Sequence, residues 1–444
     1  MRSGRFLFPI SLTLAVLLAG VAREAHAVPS FARQTNLACN ACHYTFPELN
    51  AFGREFKLDG YTLTGRKTID AKDHERSTLA LLPIAPVSVM LQASHTSIAT
   101  KQPGTQNDNV ALPQQLSLFL AGSITPRIGT FIQVTYDDDS GTVGMDNTDI
   151  RFADTAKLGG RQVHYGVTLN NNPTVQDLWN STPAWGFPYA SSAVAPTPAA
   201  AALVDGGLAQ EVAGLGGYGL FADHLYAELT LYRSASQGGP DPPDGTAEDT
   251  IKGVAPYWRL AYQWQWPEQY LELGTYGLDT RLYPMGVTGP TDDYSDYGFD
   301  LQYERQLGDD AVVVHGTWID ETQDLNATFA GAGSANPSNG LRTFRIDGTY
   351  HLQSTYGFTL GYFSTTGDGD GVLYSPAPVT GSRTGSPDSD GIIAQVQALP
   401  WMNTKLGLQY VYYGKVNGSK NDYDGFGRDA SDDNTLYAFL WFNF

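Results

Sequence analysis

Long apolar runs are missing from this chain once its first segment is passed. Beyond Val21 no stretch approaches the roughly 20 apolar residues that a membrane-spanning helix requires. Charge is scarce too, at 16% of 444 residues, and it is mostly negative: 46 Asp and Glu against 27 Lys and Arg, a net of −19. Such a chain repels nucleic acid and carries no basic cluster to hold it, which excludes that partner. Only two cysteines occur, Cys39 and Cys42, too few for a disulfide framework. No Gly-x-Ser-x-Gly is present and the carboxylates lie mostly in loop-like segments, so hydrolytic chemistry has no constellation to stand on. Plentiful instead are Gly (48) and Tyr (25). Low charge with many Gly and aromatic residues fits neither disorder nor a soluble helical enzyme, but a large antiparallel β protein.

The first segment reads as a secretory signal over 1–27. Arg2 and Arg5 form its charged region, Phe6 to Val21 its apolar stretch and Ala25-His26-Ala27 its cleavage site. Its loss takes away three arginines and one glutamate and leaves the mature chain still more acidic.

From about residue 84 the chain becomes a series of alternating segments: 84–96, 113–123, 128–138, 145–153, 161–170, 216–222, 225–233, 255–265, 268–278, 296–305, 311–320, 341–351, 355–364, 390–399, 404–414 and 434–444. Most have about the 9–11 residues a tilted strand needs to cross a bilayer. In 161–170, Val163, Tyr165, Val167 and Leu169 share one face, and Gln162, His164, Thr168 and Asn170 the other. In 341–351, Phe344, Ile346 and Tyr350 oppose Thr343, Arg345, Asp347 and Thr349. Apolar-out, polar-in alternation with short and long links in turn is the pattern of a transmembrane barrel with short periplasmic turns and long external loops. The final strand, ending at Phe444, puts Leu436, Ala438, Leu440, Phe442 and Phe444 on one face. The expected fold is therefore all-β: an antiparallel transmembrane β-barrel of about 16 strands over 76–444, set in the bacterial outer membrane and its lipid.

Ahead of it, Cys39-Asn40-Ala41-Cys42-His43 spells C-x-x-C-H. Two thiols at this spacing reach the two vinyl groups of a haem, and the adjacent imidazole takes the iron. A C-x-x-C redox pair is the other reading, with no third cysteine for it to exchange with. One covalently bound haem c is therefore expected in a module and linker over 28–75, with Cys39 and Cys42 as anchors and His43 as proximal ligand. Pro47 is expected to open a short helix whose apolar face is Leu49, Phe52, Phe56 and Leu58. About forty residues cannot enclose a porphyrin unaided, which puts the module in or against the barrel lumen. Residues 44–66 contain neither Met nor His. A distal ligand would then come from lumen-facing Met90 or His164, with His315 and His351 also facing inward, unless the position is open or water-filled.

Two stretches resemble a known family. FARQTNLACNACHYTFPELNAFGREFKLDGYTL is similar to the haem segment of fused monohaem c-type cytochrome–porins of the outer membrane, a family that includes the Fe(II)-oxidising cytochromes of iron-oxidising bacteria. The shared residues are Phe31 to Thr35 before the motif, then Phe46-Pro47, Leu49, Phe52-Gly53, Phe56-Lys57 and Gly60-Tyr61. NNNPTVQDLWNSTPAWGFPYASS, residues 170–192, resembles a second segment of such proteins. The resemblance implies a haem domain within a sixteen-strand barrel, and electron passage between an extracellular reductant such as Fe(II) and periplasmic c-type cytochromes or other carriers. A diffusion porin with a haem-bearing plug or sensor is the alternative, as is electron export to an extracellular acceptor. Arg33, Arg54 and Lys57 are candidates for the haem propionates or for acidic lumen walls. Asp137-Asp138-Asp139, Asp292-Asp293-Asp296 and Asp422-Asp424-Asp429-Asp432-Asp433 could gather divalent cations or keep loops soluble. The eight tryptophans are mostly expected in interfacial girdles.

Overall fold

The computed structural model describes residues 28–63, 69–73, 76–81, 83–102, 108–137, 141–235, 250–284 and 288–444; the signal segment 1–27, Asp138 and Asp139 lie outside them. Sixteen long strands, each antiparallel to its neighbours, close into one barrel. In chain order they are β1 Val87–Ile98, β2 Asn109–Thr125, β3 Ile128–Asp137, β4 Thr142–Leu158, β5 Arg161–Asn170, β6 Val212–Phe221, β7 Leu225–Ser234 and β8 Ala255–Gln265, then β9 Gln269–Tyr283, β10 Asp292–Leu307, β11 Asp310–Asp324, β12 Ser338–Leu352, β13 Tyr356–Gly367, β14 Ser389–Trp401, β15 Thr404–Lys415 and β16 Thr435–Asn443. A two-residue strand, Thr250–Ile251, adds to the wall beside β9. The seam joins β16 to β1, from Thr435 opposite Ile98 to Asn443 opposite Met90, and Phe444 exchanges two backbone hydrogen bonds with Val89.

Each expected strand coincides with one of these sixteen, although several run longer than the alternation suggests. Over β4 the expected 145–153 extends to 142–158, because backbone pairing continues where both faces are exposed and alternation is lost. Arg76–Leu81 pairs with Ile69–Asp73 in a separate hairpin, and the barrel wall begins only at Val87.

Burial is inverted relative to a water-soluble sandwich. Along β5, Tyr165, Val167 and Leu169 are 41%, 46% and 48% exposed, whereas His164, Thr168 and Asn170 are 7%, 0% and 3% exposed. The same reversal runs along β12, where Phe344, Ile346 and Tyr350 face out and Thr343, Asp347 and Thr349 are buried. An outward apolar band of this kind is what a hydrocarbon layer selects. Among the described residues no helix is long and apolar enough to cross a membrane. Leu229, exposed at the middle of β7, tests the lipid face. Leu229→Arg should cost about 2–4 kcal/mol in equilibrium unfolding from phospholipid vesicles, and Leu158→Arg, beside a short turn, about 0–1 kcal/mol.

Candidate haem site in the filled lumen

The N-terminal module is assembled from small pieces. Helix α1, Pro29–Thr35, starts on a proline that has no amide to leave unpaired and stops at Asn36 in a left-handed conformation, whose N–H bonds Ala32 O. Cys39–Ala41 forms a single 3-10 turn, and His43–Thr45 pairs with Glu48–Leu49. Helix α2 runs from Ala51 to Leu58, beginning after Asn50 caps the Gly53 amide at 3.0 Å rather than at Pro47. Its buried face also differs from the expected one. Arg54, Phe56, Lys57 and Leu58 are buried, and Phe52 is exposed. Gly53 is where helix and haem motif touch, because a Cβ there would lie 2.1 Å from the Cys42 carbonyl oxygen.

The wall grips this module all round. On β2, Gln34 donates to Ala121 O at 3.0 Å and accepts from Ser123 N. On β3, Gly129 meets the carbonyl of Gly60 so closely that no Cβ fits. Tyr61 donates to Asp149 at 2.7 Å on β4, and Tyr218 on β6 donates to Leu58 O at 2.7 Å. Tyr44 and Arg54 both bond Glu304 on β10. Glu48 lies 3.0 Å from His351 on β12, and Lys405 on β15 donates to Phe46 O. Most of these wall positions lie toward the short-turn ends of their strands, so the module occupies that end of the lumen.

Between module and wall lies a cavity of about 370 Å3. Cys42 and His43 line it, together with Phe31, Phe46, Phe56, Tyr61 and Lys57 of the module and Met90, Phe119, Phe131 and Trp441 of the wall. Burial pushes the Cys39 thiol up to about 12 and that of Cys42 up to about 11. Burial, aided by the charge of Lys405, pulls His43 down to about 4, so its imidazole is neutral, the form that binds metal. The backbone of Pro47 and Glu48 lies against the ring, yet Nδ1 is buried without a partner of hydrogen-bond geometry. An aromatic-walled cavity with a neutral imidazole and a thioether on its walls fits a c-type haem anchored through the adjacent thiols.

The other sequence candidates are sorted by their place around the wall. Met90 is buried, lines the cavity, and its Sδ accepts from Gln92 Nε2 at 3.7 Å. His164 faces inward on β5 but outside this cavity's lining; Asp59 holds its Nδ1 at 2.7 Å and Gln162 meets its Nε2. His351 pairs with Glu48, and His315 lies 3.3 Å from Asp347. Exposed Arg33 donates to Val87 O, and Arg54 is taken by Glu304. Lys57 alone of the three basic candidates reaches the cavity.

The long segment 171–211 also folds into the lumen. Asp177 accepts the N–H groups of Trp179, Ser181 and Thr182 and pairs at 3.3 Å with Arg259. Ser181 donates to Asp300 at 2.5 Å, Gln176 to Tyr232 at 2.8 Å, and Val204 N to Asp296 at 2.8 Å. This segment also reaches the module, with Asn180 accepting from Leu49 N at 3.0 Å and Val175 O accepting from Lys57. Its Asn180, Trp185 and Tyr189 line the cavity. Nothing in their spacing marks them as site residues; only membership of the second family-like stretch pointed there. Trp179, Trp185 and Trp441 are thus lumen residues, and Trp266 and Trp401 are exposed as girdle residues are.

The acidic loop residues have partners of their own. Asp292 accepts from Ala327 N and Thr328 N, Asp424 from Val379, Phe426 and Arg428 amides, and Asp433 from Arg428 and Tyr423. Among the described residues no three His, Cys, Asp or Glu side chains gather to hold a metal ion.

No protein-family model and no curated protein matches the chain. Solved structures do match. The loop L8 deletion mutant of OmpT, an outer membrane protein of Vibrio cholerae, is 11% identical over 81% of this chain and 98% of that one, with a TM-score of 0.43. The outer membrane channel DcaP of Acinetobacter baumannii is 12% identical over 81% and 96%, TM-score 0.44, and Salmonella typhi OmpF is 10% identical over 81% and 97%, TM-score 0.44. The closed barrel itself is read from the strand pairing of this chain.

Two outcomes test this site. Gly53→Ala should strain the contact with Cys42 by about 1–3 kcal/mol; proteolysis within the module should quicken while the heat-resistant electrophoretic migration of the barrel stays unchanged. In the folded, haem-free protein at pH 8 only about a thousandth of Cys42, and less of Cys39, is thiolate. Iodoacetamide should therefore label them slowly until the protein is denatured, as mass spectrometry would report.

Proposed function

We propose that the protein is an outer-membrane electron conduit, a one-electron carrier between an extracellular donor, of which Fe(II) is the leading case, and c-type cytochromes or other carriers of the periplasm. One observation carries the reading: Cys42, His43 and Met90 line one cavity inside a closed barrel. The resemblance of residues 31–61 and 170–192 to the fused monohaem cytochrome–porins supports it independently. A haem c bound there supplies a single-electron carrier whose potential is set by axial ligands and surroundings.

The chain's own residues do the rest. Cys39 and Cys42 tether, His43 presents a neutral imidazole, and Met90 is the proposed second ligand, favoured over His164 because His164 is engaged by Asp59 outside the cavity lining. Phe31, Phe119, Phe131 and Trp441 give the cavity aromatic walls. A barrel of about 16–18 strands holds a water channel when its interior is free. Here the module and residues 171–211 occupy the interior, which favours electron passage over the diffusion-porin alternative.

His43→Ala tests the assignment. The barrel, held by its strand ladder, should still reach the outer membrane, while stopped-flow reduction by Fe(II) should fall at least about a hundredfold, the scale on which loss of a metal ligand or its support acts. Undiminished reduction in this variant, or large persistent channels from haem-loaded wild type in planar bilayers, would overturn the conduit.

A further inference from the structure

Lys57 is a buried cation with unspent donors facing the cavity. It sits on α2, 5% exposed. Its Nζ donates to Val175 O at 2.9 Å and lies 4.6 Å from the centre of the Trp185 ring. An ammonium carries three donors, and among the described residues a single acceptor is seated on this one. The carboxylates nearest in charge are committed elsewhere: Asp149 to Arg151, Tyr61 and Thr168, and Asp177 to the amides of its own turn and Arg259. Burial, with the charge of Arg151 beside it, pulls Lys57 down to about 7. An ammonium kept out of water without an anion is costly. Of the other basic side chains near the motif, Arg33 donates to Val87 O, Arg54 pairs with Glu304 while its Nη2 stays buried without a partner, and Lys405 donates to Phe46 O; none of the three lines the cavity.

We propose that Lys57 is the carboxylate anchor of the cavity, donating to a propionate of the tetrapyrrole tethered by Cys39 and Cys42. This rests on the haem reading above. It adds a ligand subsite: Lys57 would hold a propionate carboxylate, with Trp185 and Val175 O keeping the ammonium in place.

The test uses the full-length haem-loaded protein, its Lys57→Met and Lys57→Arg variants, resonance Raman spectra of the haem propionate bending bands, and redox titration. The propionate bands should move in both variants, since Met offers no donor and Arg a differently shaped one. Loss of a cation near the haem favours the oxidised form, so Lys57→Met should lower the reduced-to-oxidised ratio at fixed solution potential about tenfold, equivalent to about 59 mV for one electron. Lys57→Arg should stay within about twofold. Propionate bands unmoved in whichever variant accumulates as holoprotein would overturn the anchor, whatever the potential does, and leave the conduit standing. Wild type without covalent haem, judged by its pyridine haemochrome, would overturn both.

Discussion

Charges buried inside a barrel have to be neutralised there, and in this barrel much of the neutralisation comes from chain that is not wall. Arg259 is fully buried and faces Glu272 on β9 and Asp300 on β10, with Asp177 supplied by the segment folded inside. Glu304 is met by Tyr44 and Arg54 of the module, and His351 by Glu48. Asp149 and Arg151 pair on β4 while Tyr61 bonds the carboxylate. Withdrawing one partner from such a pair leaves an uncompensated buried charge, a loss of about 3–5 kcal/mol. The module and residues 171–211 are therefore structural members of the barrel, and their removal would strand several charges at once.

That coupling explains which features were legible beforehand. Strand number and facing followed from period-two alternation, because every β5 or β12 residue must choose lipid or lumen. Strand ends were not legible: over 142–144 and 155–158 pairing outlasts the apolar band, and no hydropathy change marks where it stops. Cys39, Cys42 and His43 stand out through their C-x-x-C-H spacing, and the structure adds that Cys42 and His43 line one cavity; the haem itself is proposed on those two grounds. Helix α2 begins after Asn50 rather than at Pro47; Phe56 and Leu58 are buried as their apolar character suggests, while Arg54 and Lys57 also turn inward and Phe52 outward.

Alternation has a limit that the distal candidates expose. It reports which face a side chain occupies, not its height or its angle around the barrel. Met90 and His164 both face inward, yet Met90 opens on the cavity while His164 is drawn to Asp59 at the C-terminal end of α2. Segment 171–211 has no period at all, so nothing in the sequence pattern could seat Asn180, Trp185 and Tyr189 on the cavity wall. Those positions are set by turns pinned to Asp177 and by the Trp185 Nε1 bond to Val175 O at 2.7 Å.

The cavity is thus composite, and its completion depends on barrel closure. A module of about forty residues buries too little surface to seal a porphyrin. Residues 180–189 supply one side, and β1, β2, β3 and β16 supply another. Met90 stands opposite Asn443 at the seam where the last strand meets the first, and Trp441 and Asn443 on that last strand line the same cavity. Until β16 pairs with β1, the side of the cavity that carries the proposed second ligand lacks its neighbours. The attachment motif can exist on an open chain, but the full set of groups facing the cavity arises only when the wall is continuous. In the proposed conduit, electronic tuning of the cofactor is in this way tied to assembly of the barrel that surrounds it.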